Sequence, residues 1–160
     1  RTAITGVSNI LCRSMQAKKL ETVTLEKELS IVKDYLALET IRFESRLQVA
    51  YHIDEDTLDQ PVPPMMLQTL VENAIKHGIG KQRDGGVVEI YSDFKSDHHE
   101  LVIRNTGSID GDIDTSGFGI SSTKNRLALL FGNKAQFSIH NTVDHMVEAV
   151  VSLPIYSNNK

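Results

Sequence analysis

Four side chains suited to handling a metal-bound nucleotide crowd into one short stretch of this chain. In Leu67-Gln-Thr-Leu-Val-Glu-Asn-Ala-Ile-Lys-His-Gly78, Glu72, Asn73, Lys76 and His77 fall within six residues. Residues three and four apart share a helix face, so Asn73, Lys76 and His77 cluster if the segment is helical. An asparagine oxygen ligates a hard cation such as Mg²⁺, and a lysine sets a point charge on phosphate. Taken alone, such a stretch is more often a polar helix face with a satisfied histidine.

The elements that must position these residues are legible in the period of the apolar ones. Leu67, Leu70, Val71 and Ala74 repeat at helical spacing and predict a helix behind the polar cluster. Pro61, Pro63 and Pro64 lead into it, proline being permitted in a first helical turn. Upstream, Ile4, Val7, Leu11 and Met15 make one helical stripe, and Gln16 to Thr22 reads as a break. A second helix is predicted from Thr24, an N-cap, to about Glu44. Glu26 and Glu28 lie in its first turn, where the dipole favours anions, and Leu25, Leu29, Val32, Leu36 and Phe43 form its apolar face. The period then changes to two: Leu47, Val49, Tyr51 and Ile53 predict a strand, and Asp54 to Gln60 an acidic turn.

The second half reads mostly as strand. Asp84-Gly85-Gly86 is turn chemistry. Val87 to Phe94 and Glu100 to Arg104 predict a hairpin, with His98 and His99 solvated in its turn. Ser108 to Ser116 is expected to be a mobile polar loop. Gly117 to about Phe131 turns helical, and 135–140 with 145–153 predict a second hairpin. Mostly antiparallel strands with helices on one face make a two-layer α+β sandwich with a mixed sheet.

Composition narrows the function classes. At 160 residues the chain is one domain, or one domain with a short extension, and can bury a real core. A net charge of −4 gives no reason to expect nucleic-acid binding. No 18-residue apolar run is present, so nothing reads as a membrane span. The lone Cys12 forms no internal disulfide, which suits a reducing compartment. The first residue is Arg1 rather than methionine, as expected of a piece of a longer protein.

Three linked segments then carry a resemblance. Val71-Glu-Asn-Ala-Ile-Lys-His-Gly78, Ile103-Arg-Asn-Thr-Gly107, and Ser116-Gly-Phe-Gly-Ile120 with Arg126-Leu127 resemble, in order and separation, the N, G1 and G2 boxes of the GHKL ATP-binding domain of sensor histidine kinases. Leu25-Glu-Lys-Glu-Leu29, Tyr35-Leu-Ala-Leu-Glu39 and Arg42-Phe43 add a likeness to the LytS-like class. The resemblance runs from about residue 4 to 154. It implies a remnant of the dimerisation and phosphoacceptor helix region at 1–22, a catalytic ATP-binding domain at 23–156 and a frayed tail at 157–160.

The same resemblance implies the roles. Glu72, Asn73 and Lys76 would be catalytic, with Asn73 the Mg²⁺ ligand. Lys76 and His77 would lie near the phosphates or ribose. Asn105 would accept from the adenine amino group, and Gly107 would let the backbone approach the base. Gly117 and Gly119 would turn backbone N–H groups toward the phosphates, with Ser122 beyond them and Ser108 to Ser116 as the lid. The cofactors would be ATP and Mg²⁺. Glu72 would orient a water or a neighbouring side chain. A cytoplasmic domain of a bacterial inner-membrane receptor is implied, homodimeric through its own dimerisation helices, with a response regulator, of LytTR type, as partner.

Departures from the pattern matter. Asn105 stands where relatives carry aspartate, and an uncharged acceptor is weaker. Ser122 stands where they often carry asparagine. No histidine here has the surroundings of the family's acceptor motif, so the chain alone is expected to lack stable autophosphorylation. Two alternatives stay open. One is a different GHKL enzyme, either an ATPase of the gyrase, MutL or chaperone type or an anti-sigma serine kinase, although Thr69 stands where the gyrase type has its general-base glutamate. The other is a degenerate GHKL nucleotide-binding or dimerisation module without kinase activity. Asp110-x-Asp112-x-Asp114 opens like a calcium loop, but Thr115 replaces the required glycine and Ser121 the closing glutamate.

Overall fold

The computed structural model describes residues 22–109 and 118–157. The stripe Ile4–Met15, Cys12, the aspartates at 110, 112 and 114, Gly117 and the last three residues lie outside them. Two short strands, β1 (Val23–Thr24) and β3 (Pro61–Val62), pair antiparallel and flank the first helix, α1 (Leu25–Phe43). Thr24 is extended, and its hydroxyl accepts from the Lys27 amide at 3.2 Å, the expected N-cap. Leu25, Leu29, Val32, Leu36 and Phe43 are all buried.

After α1 come β2 (Leu47–Ile53), α2 (Met66–Asn73), β4 (Gly86–Phe94), β5 (His99–Thr106), α3 (Phe118–Phe131), β6 (Gln136–Asn141) and β7 (Met146–Leu153). The main sheet runs β2-β4-β5-β7-β6, parallel between β2 and β4 and antiparallel elsewhere. The fold is therefore the mixed, mostly antiparallel two-layer sandwich that the periodicities predict. Alternate strand residues (Val88, Ile90, Leu101, Ile103, Ala149, Val151) join the apolar stripes of the three helices in one core. Helices thus cover one face of the sheet.

The α2 segment departs from a simple helix at both ends. It starts on Met65, held at φ 68° with no side-chain cap of its own. The cap comes from α1 instead. Glu28 is buried, and its two carboxylate oxygens accept from the amides of Met65 at 3.2 Å and Gln68 at 3.3 Å. A carboxylate here satisfies donors that a helix start leaves orphaned and complements its dipole. At the other end, Ala74–Gly78 forms one wide π turn, followed by a tight turn at Ile79–Lys81. Inserted π turns concentrate at functional sites because they re-aim side chains.

The expectation that His99 is solvated is overturned: the ring is fully buried. The hairpin turn is shorter than the sequence suggests. His99 opens β5 opposite Phe94 and falls on the same inward register as Leu101 and Ile103. It ends a buried relay. The Thr57 hydroxyl donates to the Asp54 carbonyl at 2.6 Å, so the Ser92 hydroxyl, 2.7 Å away, donates to Thr57. Ser92 then accepts from His99 Nε2 at 2.8 Å, which fixes the Nε2–H tautomer and leaves Nδ1 buried with no partner among the described residues.

Burial pushes the His99 imidazole down to about 4, against a smaller opposing pull from Asp93. The folded state thus refuses a proton that the unfolded chain takes below its ordinary value near 6.5. Stability is complete above that value and falls as pH drops toward 4, by about 3 kcal/mol in all. His99→Gln keeps a donor to Ser92 without a titrating group. Denaturant melts between pH 7 and 4 should show a shallower acid loss for that variant than for the wild type; equal slopes would show that His99 does not carry it.

Candidate functional site

A cleft of about 530 Å³ opens between α2 with its π turn, the end of β5, and α3. Its floor is apolar, formed by Ile103, Ile120, Ile139, Val147 and Ala149. Its polar wall holds Asn73, His77 and Asn105, and Ser108 and Ile109 stand at its rim. The alternation along β5 explains Asn105. Leu101, Ile103 and Asn105 all point inward, so the amide takes the core-facing place at the end of the strand.

The geometry of Asn105 is specific. Its Nδ2 donates to the Thr106 carbonyl at 2.9 Å. Its oxygen has no hydrogen-bond partner among the described residues, and the residue lines the cleft. Two glycines permit the arrangement. A Cβ built on Gly78 would stand 2.0 Å from Asn105 Nδ2 and 3.0 Å from the Thr106 carbonyl. Gly107, at φ 139°, donates its amide to the His145 carbonyl at 3.0 Å, and a Cβ on it would stand 3.3 Å from the Gly78 Cα. The end of the α2 segment and the end of β5 therefore meet backbone to backbone, as only glycine allows.

Asn73 Nδ2 is buried and has no hydrogen-bond partner among the described residues. A buried amide without a partner costs free energy unless something else satisfies it. His77 is held below its usual value, first by burial and then by the charges of Lys81 and Lys76. It is neutral at pH 7, beside two cations.

Not every residue singled out by the sequence reaches this cleft. Glu72 and Lys76 are exposed and line a separate groove between α1 and α2. The reason is helical phase: Asn73 and His77 share the stripe facing the cleft, while Glu72 and Lys76 share the one facing α1. Glu72 accepts from Gln68 Nε2 at 3.1 Å. Gly119 lies in the first turn of α3, and Ser122 is exposed on that helix, outside the cleft lining. Gly117 lies outside the described residues. The sequence reading missed Glu28 as the cap of α2 and the apolar floor from β6 and β7. The inward alternation of Val147 and Ala149 was the available signal for that floor.

Fold and site together define a class. A family model described as "Histidine kinase" matches residues 1–47. The Staphylococcus haemolyticus sensor protein LytS is 32% identical over 89% of this chain and 26% of its own length. The Escherichia coli K12 sensor histidine kinase BtsS is 36% identical over 84% and 24%. The chain thus spans about a quarter of the length of the curated relatives it matches. Among solved structures, Acinetobacter baumannii histidine kinase AdeS aligns with a TM-score of 0.65 at 14% identity, over 96% of this chain and 81% of that one. The nucleotide-free catalytic domain of histidine kinase ThkA aligns at 0.62 and 15%, over 84% and 96%. The fold is that of histidine-kinase catalytic domains of the GHKL type. In sequence, the chain is a relative of the LytS-like sensor histidine kinases.

Proposed function

We propose that this chain is the ATP-binding catalytic domain of a two-component sensor histidine kinase. The observation that carries the reading is a cleft whose polar wall brings Asn73, His77 and Asn105 together over an apolar floor. The residues fit the nucleotide by their chemistry. The apolar floor suits a flat base. The Asn105 oxygen accepts from the adenine amino group. Asn73 is the ligand for Mg²⁺, whose charge on the phosphates supplies most of the electrostatics that phosphoryl transfer needs. Neutral His77 donates or accepts at the ribose or phosphates without adding a charge. Lys76 and Glu72 stand on the other side of α2 and Gly119 and Ser122 on α3; we assign these four, with Gly117, to the phosphate end of the nucleotide.

On this reading the γ-phosphoryl group passes to a histidine that is not among the six of this sequence, and thence to an aspartate of a response regulator, of LytTR type. Residues 1–22 belong to the dimerisation region of a homodimer, 23–156 to the catalytic domain, and the domain works on the cytoplasmic side of a membrane receptor. Among the described residues no helix is long and apolar enough to cross a membrane.

Asn105 tests the reading. Asn105→Asp keeps the acceptor but sets a carboxylate oxygen against the Thr106 carbonyl that Nδ2 now serves, so it should lower the melting temperature while retaining the preference for ATP over GTP. Asn105→Leu leaves the adenine donor unpaired and should lose about 1–3 kcal/mol. Because guanine presents an acceptor at that edge, the preference for ATP over GTP should fall in the Leu variant. An unchanged preference, measured by calorimetry on folded protein, would rule out adenine recognition by this side chain.

A further inference from the structure

One row of the sheet carries two asparagines. Asn105 of β5 pairs with Val147 on one side of β7, and Asn141 of β6 pairs with Val147 on the other. Residues opposite one another across a sheet share a face, so all three take the side on which the cleft opens. The two asparagines stand two strand spacings apart, roughly 10 Å. Each holds one end of the segment that follows β5. Asn105 bonds the Thr106 carbonyl, as described above. Asn141 meets Ile109 at both backbone groups: its oxygen accepts from the Ile109 amide at 2.8 Å, and its Nδ2 donates to the Ile109 carbonyl at 3.0 Å. The β6–β7 turn adds a third bond, because the His145 carbonyl accepts from the Gly107 amide at 3.0 Å. His145 sits at φ 63°, a conformation that persists only where its surroundings impose it. Here the Thr142 amide donates to the Met146 carbonyl at 2.8 Å, the Met146 amide to the Thr142 hydroxyl at 3.2 Å, and Arg104 Nη2 to Asp144 at 3.2 Å.

We propose that Asn141 is a positioning residue of the nucleotide cleft: with the His145 carbonyl it brackets Gly107–Ile109, so that the rim is ordered before a nucleotide arrives. The proposal rests on the nucleotide reading above. Ser108 and Ile109 line the cleft beside Asn105, yet neither belongs to a strand or a helix. A rim without a ladder of its own would be ordered only on binding, and the backbone freedom lost at that moment would subtract from affinity. The bracket removes that cost from the free protein. Asn141 is not part of the cleft lining, so it acts through Ile109 rather than on the ligand. The chemistry asks for an amide. One donor and one acceptor must meet the N–H and C=O of a single residue, which a carboxylate, an ammonium or an aliphatic side chain cannot do.

The test measures ADP affinity with Mg²⁺ by calorimetry on the whole 160-residue chain and on Asn141→Ala, Asn141→Asp and His140→Gln. Melting temperature and amide hydrogen exchange are read on the same proteins without nucleotide. Asn141→Ala should weaken ADP about tenfold and speed exchange of the Ile109 amide. Its melting temperature should stay unchanged, because Asn141 is exposed and its backbone keeps its register with Val147. Asn141→Asp keeps the acceptor for the Ile109 amide but sets an oxygen against the Ile109 carbonyl, so its affinity should fall between the two. His140→Gln is the control and should change neither affinity nor exchange at Ile109, since the His140 ring meets Glu148 on the opposite face of the sheet. Faster exchange at Ile109 with unchanged ADP affinity in Asn141→Ala would overturn the positioning role, and so would unchanged exchange at Ile109. An affinity loss matched by a lower melting temperature and faster exchange throughout β6 and β7 would also overturn it, since Asn141 would then only hold the fold. Failure of the wild type to bind ADP would instead overturn the nucleotide reading.

Discussion

Gly78→Ala should weaken nucleotide binding more than tenfold and destabilise the fold. The added methyl carbon would stand 2.0 Å from Asn105 Nδ2, far inside any real contact, and 3.0 Å from a backbone carbonyl. Two outcomes are physically open, and both damage the site. Either Asn105 breaks its bond to the Thr106 carbonyl and swings into the cleft, or the π turn withdraws and carries His77 with it. Overpacking of this kind costs about 1–3 kcal/mol. Gly80→Ala is the control, since its added carbon meets a single atom, the Ile75 carbonyl, at 3.1 Å. Melting temperature and ADP affinity for the two variants decide the matter. Unchanged affinity in a folded Gly78→Ala protein would mean that the contact between the π turn and β5 does not shape the binding site.

The largest loss of stability should follow Glu28→Ala. Both oxygens of this buried carboxylate are used, and its removal strands two amide donors at the start of α2 beside a residue already held at φ 68°. Leaving a buried donor unsatisfied costs about 1–3 kcal/mol, so a loss of about 3 kcal/mol is expected for the pair. For a domain of this size that lowers Tm by roughly 6–12 °C. Glu28→Gln should fall between, because one oxygen remains as an acceptor while the amide nitrogen opposes an N–H. Glu26→Ala, at an exposed position one turn start away, should change Tm little. Equal Tm for Glu28→Ala and Glu26→Ala would show that α2 does not depend on the α1 carboxylate.

Much of this architecture is legible in the sequence because period and burial are directly coupled. The stripe Leu67, Leu70, Val71 and Ala74 is buried as its spacing implies, and Thr24 caps α1 as its residue type implies. Legibility fails where the partner of a residue is distant in the chain. Glu28 reads locally as a first-turn anion, and only the packing of α1 on α2 turns it into a cap 37 residues away. His99 beside Asp97 and His98 reads as solvated turn, but the strand register carries it inward to Ser92. The cleft behaves similarly. Asn73 and His77 share a face as expected, while Lys76 turns to the other wall, because a helix and its π turn present neighbouring residues to different neighbours. The two-residue pairing of β1 with β3 is too short to leave any periodic signal.

Whether Asn73 holds the metal of a metal-bound nucleotide is decided by a Mg²⁺-resolved ATP titration. Calorimetry would be run on the wild type and on Asn73→Ala, each with Mg²⁺ and with a chelator. The wild type should bind ATP at least tenfold more tightly with Mg²⁺, about 1.4 kcal/mol or more. Asn73→Ala should lose most of that difference at an unchanged melting temperature, since the Asn73 amide nitrogen has no partner among the described residues to lose. Equal affinity with and without Mg²⁺ in the wild type, or a metal effect that survives intact in Asn73→Ala, would contradict the account.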